Sequence, residues 1–325
     1  MEWKWSKANE KDLARFVNEK AIQLLDKLPI NDRLKLVQDE SGRRTLVKTI
    51  YETLVTRGIR YDFEKYQPEA ETQLIRTPVE ILSTPGEGTC LDLALLFCSL
   101  CFGYDLLPLL IVIEGHAFAA VSLKHKREEW NAYGTERAMF DTSILFQGDT
   151  NLAELKRLVE DEAYIAVECT GFAHSQVLGN AQAPEAKGRT SDGTLSFGRA
   201  VKAGSEQLEN ADRKFKFAID IAAAKYIWKI QTEEIPDLEE HVSKISKMYG
   251  KQDLEDINRV IAVVNENESD GLIDMESYQN VKNATDSVIK GNVNKGKGNS
   301  GTSKTRQDLG EIERTHVVAE EHNEL

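Results

Sequence analysis

The chain has 325 residues, 41% of them hydrophobic and 29% charged, with a formal net charge of −13. That balance suits a globular protein with a sizeable core, and the acidic surplus argues against nucleic acid as a partner, because phosphate neutralisation needs a basic face. No stretch approaches the roughly 20 apolar residues of a membrane span, and no apolar core of a signal peptide follows Met1-Glu2-Trp3-Lys4-Trp5, so the expectation is a cytoplasmic protein with no membrane partner.

Within residues 8–27, Leu13, Phe16, Val17, Ile22, Leu24 and Leu25 stand among charges in an amphipathic helical pattern. Residues 43–57 repeat it with Leu46, Val47, Ile50, Leu54 and Val55, and Gly58 fits a helix stop. Residues 59–62 read as a short extended exit, and 63–85, with Pro68, Pro78 and Pro85, as a surface loop. The turn Pro85-Gly86-Glu87-Gly88 then delivers Thr89 as an N-cap and Cys90 as the first residue of an apolar helix that Gly103 ends. Residues 106–114 and 116–123 read as two apolar strands joined at Glu114-Gly115, with His116 opening the second.

Residues 124–150 form a polar excursion holding the short run Ala138-Met139-Phe140-Asp141. A helix is expected over 151–160, a strand over 163–170 with Glu168 near its end, and a loop over 171–195. Amphipathic helices are expected over 197–210 and 212–230, and again over 238–249 and 253–265 beyond Pro236. Residues 291–301 are low in complexity and too polar to build a core. The resulting division is a helical segment 1–42 packed on the core, a main domain 43–235, a helical extension 236–270 and a flexible tail 271–325.

The chemistry concentrates at three positions. A thiol at the positive end of a helix is a better nucleophile, because the helix favours the thiolate. Cys90 there, His116 on a strand and Glu168 on the next strand make a nucleophile, base and orienter set. Asp141, in Phe140-Asp141-Thr142, is the alternative acid, and Glu168 is preferred because it closes a strand. Cys98, Cys101 and Cys169 read as packing residues: the Cys-x-x-Cys pair lies inside an apolar helix, with no second ligand pair near it in sequence. Asp92 suits the helix dipole without any chemistry. No metal or organic cofactor is called for.

The stretches Gly88-Thr89-Cys90-Leu91-Asp92-Leu93-Ala94-Leu95-Leu96-Phe97, Gly115-His116-Ala117-Phe118 and Val167-Glu168-Cys169-Thr170 resemble the transglutaminase-like cysteine-hydrolase superfamily. More narrowly they resemble its bacterial form, often joined to helicase-type and defence-associated proteins. The likeness covers residues 43–232, including Leu195-Ser196-Phe197-Gly198-Arg199-Ala200-Val201 and a helix around Ala218-Ile219-Asp220-Ile221. It implies an α+β, papain/transglutaminase-like fold with a nucleophile helix packed on an antiparallel sheet, here with a helical C-terminal extension. It also implies a catalytic triad acting on amide bonds of a protein or peptide substrate. Cys90 matches the family nucleophile and His116 the base. Glu168, followed two residues later by Thr170, matches the spacing of the third position, with Glu in place of the usual Asp. The expected function is a cysteine protease or amidase, with transfer to an amine as the variant outcome. The contrasting expectation is a scaffold without turnover that recruits a protein partner through its C-terminal region.

Overall fold

A computed structural model describes residues 2–5, 9–25, 33–63, 72–83, 86–132, 145–175, 188–191, 193–212, 214–236 and 238–248. The chain divides into two units, 1–246 and 247–325, and the architecture below is that of the first. Its elements begin with β1 (Glu2–Lys4), two 3-10 segments (Glu10–Phe16 and Glu19–Leu25), α1 (Arg33–Leu36), α2 (Glu40–Thr56), β2 (Arg60–Tyr61), β3 (Thr72–Leu74), α3 (Pro78–Leu82) and β4 (Glu87–Gly88). Then come α4 (Cys90–Gly103), β5 (Pro108–Ile113), β6 (His116–Ser122), α5 (Arg127–Ala132), β7 (Leu145–Phe146), α6 (Gly148–Glu160), β8 (Tyr164–Val167) and a 3-10 turn, Cys169–Phe172. α7 (Phe197–Glu209), β9 (Phe215–Asp220), α8 (Ile221–Tyr226) and α9 (Leu238–Met248) complete the described chain. The result is a mixed helix-and-sheet, α+β protein.

Five strands form the main sheet in the order β7-β9-β5-β6-β8, and every adjacent pair is antiparallel. β5 is central and buried along its whole length. An antiparallel strand with one wet face would alternate; continuous burial requires a cover on both faces. Leu109, Ile111, Phe118, Ala120, Tyr164 and Ala166 join Leu152, Leu155 and Leu208 in one cluster, so α6 and α7 cover one face. α4 packs against β5 and β6 without entering that cluster and covers the other. This is why α4 is apolar almost all round: beyond Cys90, each of its residues is buried. The β5–β6 hairpin turns at Glu114-Gly115, where Gly115 takes φ +75°, a conformation that favours glycine.

Two smaller ladders complete the body. β1 pairs antiparallel with β3, Trp3 opposite Gln73, and β2 pairs parallel with β4. α2 is fixed by Arg43, which is 3% exposed and donates to the carbonyls of Leu123, Val37 and Lys124.

Several sequence expectations are corrected. The single helix over 8–27 is two 3-10 segments broken at Asn18, whose backbone N–H donates to Ser99 Oγ and whose Oδ1 accepts from the Lys20 N–H. The stretch 63–85 is no plain loop. It holds β3 and α3, and Thr77, Pro78 and Glu80 form a capping box with proline in the first turn. The helix over 212–230 is instead strand β9 followed by the short α8. Phe215, Phe217 and Ile219 alternate with Lys216 and Ala218, and this two-residue period lets the segment pair with β5 and β7. The same finding replaces the helix that the resemblance implied around Ala218–Ile221. The excursion over 124–150 contains α5, β7 and the start of α6. Residues 133–144 and 249–325, which include Asp141, the helix expected over 253–265 and the low-complexity segment, lie outside the described residues.

Gly204 sets the distance between α7 and β8. A Cβ there would stand 2.8 Å from Ala166 C and 2.8 Å from Val167 N, backbone atoms that cannot swing aside. Gly204→Ala is expected to destabilise the protein by about 1–3 kcal/mol, as overpacking does. The urea midpoint of the variant against wild type checks this; an unchanged or higher midpoint contradicts it.

Candidate active site

The nucleophile position is built by helix capping. Thr89 accepts from the Asp92 N–H, and Asp92 Oδ2 accepts in return from the Thr89 N–H at 3.0 Å. Asp92 is fully buried, so its charge needs a partner. Arg76 supplies it: Nη1 lies 2.9 Å from Asp92 Oδ2, and the Arg76 backbone N–H donates to Oδ1 at 2.9 Å. Arg76 Nη2 reaches on to Asp62 at 2.6 Å. Burial alone would lower the arginine pKa, but these carboxylates raise it. Asp92 is therefore part of a buried polar lock on the start of α4 as well as a favourable charge for its dipole. Cys90, the first residue of that helix, is the partly exposed cysteine of the four; Cys98, Cys101 and Cys169 are buried. Burial drives those three thiols upward in pKa, which keeps them inert.

His116 opens β6 opposite Ile113, at the end of the hairpin. Its Nε2 lies 2.7 Å from Glu168 Oε2, with 11% of the histidine side chain exposed and none of the glutamate. Glu168 follows β8 directly instead of closing it and caps the 3-10 turn Cys169–Phe172. Its other oxygen, Oε1, accepts from the Thr170 N–H at 2.8 Å and the Thr170 hydroxyl at 2.7 Å. Thr170 is held by Arg189, whose guanidinium donates to Thr170 Oγ1 at 2.8 Å and to the carbonyls of Thr170, Ala173 and Gly193. The Glu168 backbone N–H donates to Ala200 O of α7 at 3.0 Å.

The electrostatics follow from this packing. Burial alone would depress the His116 pKa, but the Glu168 charge and the adjacent Cys90 thiol hold it well above 6.5. Burial alone would raise Glu168, but the His116 cation and the Thr170 donors hold it below 4.5. The two form a buried ion pair. Since Glu168 occupies Nε2, the ring nitrogen left for Cys90 is Nδ1.

Cys90 and His116 open onto one cavity of about 590 Å³. Its wall includes Leu91, Val112, Ile113, Ala117 and Phe217, and also Gln73 of β3 and Trp5, which directly follows β1. Trp5 Nε1–H donates to Gln73 Oε1 at 2.9 Å. The structure thus brings Cys90, His116 and Glu168 together, while Asp141 lies outside the described residues. Trp5, Gln73 and Arg189 are additions that the sequence reading did not single out. Nothing local in the sequence marks them, because each reaches the site through a pairing distant in the chain.

Among the described residues, no group of three or more His, Cys, Asp or Glu is arranged to hold a metal ion, and no helix is long and apolar enough to cross a membrane. No family model, curated protein or solved structure matches the chain.

The ion pair gives a pH signature. Folded His116 binds its proton more tightly than the unfolded residue, so its contribution is full below pH 6.5 and lost as pH rises through the folded value. Folded Glu168 titrates lower than the unfolded residue, so its contribution is full above pH 4.5 and lost as pH falls through the folded value. Wild type is expected to exceed Glu168→Gln in stability most between those two points. The gap should narrow on either side, by at most about 1.4 kcal/mol per pH unit for one proton. Urea unfolding of both proteins from pH 4 to 9 measures this; parallel stability curves contradict it.

Proposed function

We propose that the protein is a cysteine-dependent hydrolase of amide bonds, with a transglutaminase-like catalytic arrangement, acting through a Cys90-His116-Glu168 triad. The observation that carries this reading is a partly exposed thiol at a helix start, next to an imidazole whose far nitrogen lies 2.7 Å from a buried carboxylate. An isolated core histidine has no need of a fully buried glutamate fixed by two further donors.

The chemistry divides into two half-reactions. In the reacting pair the thiol proton already sits on His116 Nδ1, in keeping with the raised imidazole pKa, and the Cys90 thiolate bonds to the substrate carbonyl carbon, sending an electron pair to oxygen. The backbone N–H of Cys90 offers one donor to that oxyanion, and the Gln73 amide, which lines the same cavity, is the side-chain candidate for a second. The tetrahedral species collapses: the C–N bond breaks, and His116 gives its proton to the leaving nitrogen, leaving a thioester. Water, deprotonated by His116, then attacks the thioester carbon. The C–S bond breaks, the acid departs, and the Cys90 thiolate is restored beside the His116 imidazolium. Glu168 fixes the ring orientation and stabilises the imidazolium throughout, without taking a proton itself. Its low pKa and the raised value of His116 suit these roles.

Cys90→Ala is expected to abolish turnover, and His116→Ala to lower it about 10²–10⁴-fold. Glu168→Gln should lower activity far more than Asp141→Asn. Proteomic comparison of cells expressing wild type and Cys90→Ala identifies cleaved proteins, on which the four variants are then assayed. Equal activity of wild type and Cys90→Ala, or the reverse ranking of the two acid variants, contradicts this assignment.

A further inference from the structure

The cavity beside Cys90 carries a chemical preference, which deepens the reading above and rests on it. Most of its lining is apolar: Leu91, Val112, Ile113 and Phe217, all at most 5% exposed, together with Ala117 and Trp5. The lining also includes two charged residues, Glu114 at the hairpin turn and Lys216 on β9. These two face each other at 4.0 Å, both half-exposed or more. Glu10, the other charged lining residue, is engaged with Gln147, whose amide donates to it at 2.7 Å. Apart from His116, Lys216 is the only cation among the described lining residues, and Glu114 already answers its charge. The leaving nitrogen must meet His116 to receive its proton. The acyl part stays on the sulfur, in a cavity whose lining is mostly apolar.

We propose that this cavity selects an uncharged, apolar acyl group, of the size of a phenylalanyl or leucyl residue, on the carbonyl side of the scissile bond, and that Trp5 is the residue that determines this specificity. A space of about 590 Å³ lies within the range that holds one bulky side chain with its flanking backbone. An acidic residue would meet no cation that is not already paired. A lysyl side chain would lose its hydration against Val112 and Phe217 without a buried carboxylate to receive it. Trp5 directly follows β1, and its indole N–H donates to Gln73 of β3, which holds the ring at the cavity.

The test uses the full chain and peptidyl chloromethyl ketones that differ only in the residue next to the ketone: Phe, Leu, Gln, Lys or Asp. In each, Cys90 Sγ bonds to the methylene carbon and chloride leaves, so rates are read by mass spectrometry without any turnover. Phe and Leu are expected to label Cys90 at least about 10-fold faster than Lys or Asp, and faster than Gln. Trp5→Ala should flatten the order and Trp5→Phe should retain it. A flat order in wild type, or one led by Gln, Lys or Asp, overturns the proposal. Iodoacetamide, which needs no acyl recognition, tests the underlying reading separately. Alkylation of Cys90 that is equal in wild type and His116→Ala removes the thiol–imidazole couple, whatever the ketones show.

Discussion

A carboxylate with no solvent contact is tolerated only if its charge and its lone pairs are answered, and the demand of Glu168 for such answers organises this protein. One oxygen is satisfied by His116 and the other by both donors of Thr170. Those donors exist because the chain leaves β8 and turns at once into a 3-10 segment, and because Arg189 ties that segment to the turn around Gly193. The histidine in turn stands at the start of a strand whose neighbours on both sides fix its height in the sheet. Removing any one link would leave a buried charge without its partner, so orientation and stability share the same bonds.

A second buried acid plays a parallel part on the other side of the site. Asp92 and Arg76 hold the first turn of α4 to the segment that precedes α3, and Asp62 extends the tie to the end of β2. The start of the helix is therefore anchored by charge, while its body is anchored by apolar packing on β5 and β6. The thiol sits at the junction of the two regimes. On the proposed reading, rigidity there matters because a misplacement of the order of an ångström at the reacting atoms is enough to slow a reaction strongly.

Much of this was legible in the residues themselves. Thr89 and Asp92 announce a helix start, the run from Cys90 to Phe102 announces a buried helix, and Glu114-Gly115 between two apolar runs announces a hairpin, because each signal is local. The segment 215–220 misled for a physical reason. Phe215, Phe217, Ile219 and Ile221 have the period of a strand, yet Ala218 and Ala222 to Ala224 add good helix formers, and only pairing with β5 and β7 decides between them. Glu168 was legible as an acid near a strand end, but its role as cap of the following turn was not, since that depends on where Thr170 and Ala200 lie. The walls of the cavity were the least legible part. Trp5 and Gln73 are 68 positions apart and meet only because β1 and β3 pair.

That short ribbon stands apart from the five-stranded sheet, although it furnishes part of the enclosure beside the sulfur. On the proposed reading, the thiol and imidazole and most of the apolar lining belong to α4 and the main sheet, whereas Trp5 and Gln73 come from a separate ribbon and the residue that follows it. If Trp5 sets the specificity as proposed, changes in the first few residues would retune it while the ion pair stays as it is. Under that reading, selectivity could drift through a ribbon that lies outside the five-stranded sheet.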